Sequence, residues 1–97
     1  MKYEKITTDG ELITISVGYE PTLEEIQKAV GGFYTEAPCV IPDGKLFVNE
    51  QGFLLSMPIN EIATCYLAMG YILGDVLLAS PNGILAHFDN ILGVEEE

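Results

Sequence analysis

The sequence predicts an α+β fold, a mostly antiparallel sheet of about six to seven short strands with two short helices in the order ββαβββαββ. Three observations predict it. Short runs with period-2 alternation are separated by Asp-Gly, Pro-Asp-Gly, Gln-Gly and Pro-Asn-Gly turns. Two segments place apolar residues at helical spacing directly behind a capping residue. A nearly unbroken apolar run, Tyr71 to Ala79, has the composition of a strand buried on both faces. The 97 residues fit one domain over 1–97, with residues 94–97 expected as a frayed acidic tail.

Tyr3–Thr8 and Glu11–Val17 read as two strands joined at Asp9-Gly10, a strong hairpin signal. In the second strand Ile13, Ile15 and Val17 point one way, and Leu12, Thr14 and Ser16 the other. The first helix follows. Thr22 is its N-cap, and Glu25 three residues on completes a capping box. Leu23, Ile26 and Val30 share one face, Glu24 and Lys28 form a favourable i,i+4 pair, and Gly31-Gly32 stops the helix. Phe33–Ile41, Lys45–Glu50 and Phe53–Met57 read as a three-strand meander. Pro38 makes the first of these strands an edge strand or a bulged one.

Pro58 and Asn60 open the second helix, with Asn60 as N-cap and Glu61 suited to the first turn. Its apolar stripe is Ile62, Cys65, Tyr66 and Met69, and Gly70 ends it. The buried strand Tyr71–Ala79, the turn at Pro81-Asn82-Gly83 and a last strand, Ile84–Phe88, complete the reading.

Composition narrows the function classes. Hydrophobic residues make up 48% of the chain, which excludes intrinsic disorder and leaves apolar surface for a homo-oligomer interface. No stretch approaches the ~18 apolar residues of a membrane span, and Met1–Thr8 carries charges in place of a signal peptide's apolar region. Fifteen carboxylates face four lysines and no arginine, a formal charge of −11. That charge disfavours direct binding to nucleic acid or an anionic membrane and favours a partner with a basic surface. Cys39 and Cys65 sit in apolar surroundings and read as buried reduced thiols.

Catalytic patterns are absent from the sequence. The single histidine, His87, forms no His-based metal cluster, and no Cys/His spacing matches a zinc site. The plentiful carboxylates leave a carboxylate dyad or a Mg²⁺ site open, but the expectation is no metal and no cofactor. Asp9, Asp43 and Asp89 lie in turn-like contexts, where aspartate is a turn residue first. Gly31-Gly32 closes a helix and so offers no helix N-terminus to a phosphate. Phosphate clamping would rest on Lys2, Lys5, Lys28, Lys45 and backbone amides, without the planar fork of an arginine.

The helix Leu23–Val30 running into Gly31-Gly32-Phe33-Tyr34-Thr35-Glu36, then Leu46–Gly52, Met57–Thr64 and Ile72–Leu77, come in an order that resembles domain-of-unknown-function family 3846, a family of short phage and plasmid proteins. The resemblance covers residues of about 23 to 79 and implies a mobile-element protein made in the cytoplasm of a bacterial host. It brings no activity with it.

The polar positions within those motifs have physical readings of their own. Asn49 precedes a tight turn and can bond its backbone; Asn60 is a helix cap. Asp75, inside an apolar strand, is either paired and hydrogen-bonded or marks a bulge beside Gly74. As a functional set, Asn49, Asn60 and Asp75 would supply the polar groups of a pocket beside the second helix, with Tyr34 or Tyr66 as a stacking wall. The expected function is therefore non-catalytic. The resemblance to small phage proteins, which often act by stoichiometric binding against host defence, implies a counter-defence inhibitor as the leading form, and the charge points to a host protein with a basic surface as its target. The second is an oligomeric sponge that sequesters a nucleotide-type immune signal in an interface pocket, and the third a structural or regulatory phage accessory protein.

Overall fold

The first hairpin forms where Asp9-Gly10 was expected to turn the chain. The computed structural model, which describes residues 1–92, has β1 at Lys2–Ile6 and β2 at Leu12–Val17. The Thr7 N–H donates to the Glu11 carbonyl at 3.0 Å, and Gly10 takes a positive φ of 86°. The helix α1, Leu23–Val30, starts as read: Thr22 Oγ1 accepts from the Glu25 N–H, and Glu25 Oε1 accepts from the Thr22 N–H. Gly31 closes it in the left-handed region at φ 83°. Two turns of helix are too short to stand alone in water. Buried Ile26, Ala29 and Val30 hold α1 against the sheet, each large side chain contributing about 1.5–3 kcal/mol.

The second hairpin pairs β3, Tyr34–Ala37, with β4, Lys45–Asn49. After a long crossover, β5, Val76–Ser80, enters between the two hairpins. The sheet order is β2-β1-β5-β4-β3, and every strand pairing in it is antiparallel. The α+β class and antiparallel sheet are those expected, with five strands instead of six or seven. β3 is an edge strand that ends just before Pro38, which could not donate to a ladder. All five residues of β5 are buried, as its apolar run predicts.

Alternation along β4 and β5 builds two cores. Phe47, Leu77 and Ala79 pack with Ile26, Ala29 and Val30 of α1 on one face. Leu46, Val76 and Leu78 pack with Ile6, Ala63, Leu67, Ile72 and Ile84 on the other. The sheet is thus the middle of three layers.

Five expectations are corrected. In β2 the ladder slips opposite the Tyr3–Glu4 step, leaving Ile15 without a paired residue. This bulge turns Ile15 towards the α1 core and leaves Ile13 and Val17 exposed. Phe53–Met57 is a turn, because β4 is already paired on both sides and offers no ladder to another strand. The second helix shortens: residues 61 and 62 are α-helical, and the rest is one π-helical turn, Ala63–Leu67, closed by the Ala68 N–H donating to the Ala63 carbonyl at 2.9 Å. Its wider winding buries Ala63 and Leu67 and exposes Cys65 and Tyr66 of the predicted stripe, while Met69 lies exposed beyond the turn. Cys65 is therefore an exposed free thiol and Cys39 a half-buried one. The strand expected at Tyr71–Ala79 begins only at Val76, so Asp75 lies ahead of it.

The fifth correction is the C-terminal strand. Ile84–Leu92 is a helix, α2. Ile84 and Phe88 pack on the same core, a spacing of four that helix and strand share. What decides is the cap. Glu4 of β1 accepts from the Ile84 N–H at 2.8 Å, and Ser80 Oγ accepts from the Gly83 N–H at 3.0 Å. A buried carboxylate beside the first turn also complements the helix dipole. The tail at 94–97 lies outside the described residues.

The turn at residues 51–57 gives a test of this geometry. The Leu55 N–H donates to the Gln51 carbonyl, the Ser56 N–H to Phe53 and the Met57 N–H to Gly52, with Ser56 left-handed at φ 53°. This is a helix-stop motif built on serine where glycine is favoured. Ser56→Gly should therefore raise stability by about 0.5–1 kcal/mol, read as a higher denaturant midpoint at unchanged slope.

Candidate functional site: an apolar groove beside the second hairpin

The structure assigns each predicted polar residue a backbone partner. Asn49, at the end of β4, donates from Nδ2 to the Val30 carbonyl at 3.1 Å and accepts the Gln51 N–H at 2.7 Å. It ties the end of α1 to the turn after β4. Asn60 is fully buried, donating from Nδ2 to the Ile6 and Gly74 carbonyls at 2.9 and 3.0 Å. Its Oδ1 accepts the Ala63 N–H at 3.1 Å, the cap expected of it. Asp75 accepts the Thr8 N–H at 2.9 Å and lies 3.6 Å from Lys5 Nζ, so the carboxylate is paired and hydrogen-bonded.

These residues and the two tyrosines do not share one cavity. Tyr34 packs edge-on against Phe47 at 5.4 Å, on the α1 face. Tyr66 packs edge-on against Phe88 at 5.1 Å, on the opposite face. His87 Nε2 donates to the Tyr66 carbonyl at 3.0 Å, so the histidine is satisfied. Among the described residues no buried side-chain polar atom lacks a partner, and no three His, Cys, Asp or Glu side chains cluster to hold a metal ion. A cavity of about 310 Å³ gathers Asp43, Ser80 and His87. Both Ser80 Oγ and His87 Nε2 are committed to backbone groups there, and no nucleophile–base pair results.

Of the predicted set, only Asn49 reaches a groove of about 620 Å³ beside the second hairpin. Thr35 of β3 and Val48 of β4 form its floor, and Phe53, Ile59, Tyr71 and Leu73 its walls. An antiparallel bridge between Ile59 and Leu73 and the Asn60 N–H to Ile72 carbonyl bond at 2.8 Å hold the wall. The groove is apolar. Glu50 is the one charged side chain on it among the described residues. Beside it stands the 51–57 turn, which projects Phe53 and Leu54 at 86% and 79% exposure, while Tyr71 on the far wall is 81% exposed. Three consecutive large apolar residues held out of the core are costly unless something covers them. Such a groove can desolvate one inserted apolar side chain, worth about 1.5–3 kcal/mol.

This site was hidden in the sequence because no polar cluster marks it and Phe53–Met57 has the composition of a strand. The available signal was the shortness of the apolar run Phe53-Leu54-Leu55, held between Gly52 and Pro58.

The family model of the domain of unknown function DUF3846 matches residues 2–90. The chain belongs to that family, and the match extends well beyond the motifs at 23–79. No curated protein and no solved structure matches the chain. No helix among the described residues is long and apolar enough to cross a membrane.

The hydrogen-bond roles predict unequal costs. Asn60→Ala strands two carbonyls and one N–H in the interior and should cost at least about 3 kcal/mol. Asp75→Asn keeps the acceptor for Thr8 and loses a half-exposed ion pair, for about 1 kcal/mol or less. Urea melts of the two variants compare them directly.

Proposed function

We propose that the chain is a non-catalytic accessory protein of a phage or other mobile element, acting in counter-defence by stoichiometric binding to a host protein with a basic surface. The observation that carries this reading is the apolar groove with the projecting Phe53-Leu54 turn beside it, set in a chain of net charge −11. An apolar anchor site within a charged surround is the anatomy of a protein–protein interface. Opposite charge accelerates encounter, and the groove then holds the complex. The site supports a protein partner better than a nucleotide. Its one charged lining residue among those described is Glu50, which would repel a phosphate.

Leu54→Asp and Tyr71→Asp alter side chains that contribute little to the core. Each should leave the melting temperature within a few degrees of wild type while abolishing co-purification of the partner from host cells carrying the tagged protein. Partner retained by wild type should also elute as salt rises. Full retention by both variants would remove the groove and turn as the binding surface.

A further inference from the structure

β3 has one side in the sheet and one side open. The Glu50 N–H donates to the Phe33 carbonyl at 3.0 Å, so Phe33 and Glu50 form a hydrogen-bonded pair of the antiparallel ladder. Continuing the register, Thr35–Val48 and Ala37–Leu46 are bonded pairs, while Tyr34–Asn49 and Glu36–Phe47 are not. Tyr34 and Glu36 therefore direct their N–H and C=O groups away from β4, and no other hydrogen bond among the described residues takes them up. This open stretch is bounded on both sides. Pro38 lacks an N–H, and Gly32 already donates to the Gln27 carbonyl at 2.9 Å.

The groove lies along this edge, on the face where Thr35 and Val48 point. A strand laid against β3 would place the residue opposite Thr35 over the groove, because directly opposed residues share a face. Its neighbour opposite Glu36 would lie on the other face, against an exposed carboxylate. We infer that the partner binds by strand addition: an extended segment pairs with the Tyr34 and Glu36 backbone, seats an apolar side chain in the groove and sets a Lys or Arg against Glu36. The inference rests on the protein-binding reading above and specifies how that surface is used. Backbone pairing supplies affinity, and the groove and Glu36 supply specificity. The charge argues for a basic segment over a second copy, since each copy carries −11.

The test uses the purified full chain and a displayed library of random short peptides. Selected sequences should share an apolar residue with Lys or Arg at the adjacent position. A synthetic peptide of the enriched sequence should slow amide exchange at Tyr34 and Glu36 and leave the β2 edge unchanged. Glu36→Pro removes an outward donor and spares the β3–β4 ladder, since Glu36 is not a bonded pair with Phe47. It should weaken the peptide by at least about tenfold while an unchanged melt shows the fold intact. Glu36→Gln should weaken it by about two- to fivefold and flatten its salt dependence.

Strand addition is overturned if no peptide is enriched, if Glu36→Pro binds as wild type does, or if the Tyr34 and Glu36 amides exchange at the free rate. A concentration-dependent dimer that Glu36→Pro abolishes would also overturn it, by assigning the edge to a second copy. Loss of partner in Tyr71→Asp alongside unaffected binding by Glu36→Pro would leave the groove as a protein-binding surface and reject only this mode of docking.

Discussion

The two hairpins never pair with one another; β5 joins them. β1 lies against one side of it and β4 against the other, through antiparallel ladders that run from Val76 to Ser80 and from Leu77 to Ala79. Because β5 is buried on both faces, its side chains also anchor both covering layers: Leu77 and Ala79 to α1, Val76 and Leu78 to the π-helical turn and α2. How the chain enters β5 is set by Asn60. Its amide group holds the carbonyl at the end of β1 and the carbonyl two residues before β5, while its own N–H reaches Ile72. The cost of burying an amide is met by these bonds, so the residue adds little beyond a hydrophobic isostere in net energy. Its contribution is to select one path for the 58–75 crossover.

That path makes the groove. The bridge between Ile59 and Leu73 stands over the β3–β4 end of the sheet, and Tyr71 is carried with it. The opposite wall depends on the 51–57 turn, which Asn49 anchors by accepting the Gln51 N–H. Two of the polar residues singled out in the sequence therefore position the apolar walls, and they do not line a polar pocket together. This is an economical way to build a binding surface on a small domain. The core supplies rigidity, and the exposed residues remain free of structural duties.

What was legible in the sequence followed the range of the interaction concerned. The Thr22–Glu25 box, the Gly31 stop and the Asp9-Gly10 turn are made within a few residues, and each was readable. The Asn60 cap to Ala63 is equally local and equally readable; its bonds to Ile6 and Gly74 are not. The α2 helix was misread as a strand because its cap, Glu4, lies 80 residues away in sequence and its apolar spacing is shared by both structures. Phe53–Met57 has the composition of a strand, but the place beside β4 that a meander would give it is taken by β5. The groove draws on β3, β4, the 51–57 turn and the 71–73 segment, so no single stretch of sequence encodes it.

The late position of β5 also bears on how the chain reaches this state. Each hairpin can close from local contacts, but the strand that fills the gap follows the first hairpin by nearly sixty residues, and loops of that size close slowly. Until it arrives, the inner edges of β1 and β4 have nothing to pair with, and unpaired apolar edges seek other chains. Carboxylates spread through both hairpin segments give each unfinished chain the same sign as its neighbours. The same net charge that would draw a basic partner therefore also opposes association between half-built sheets.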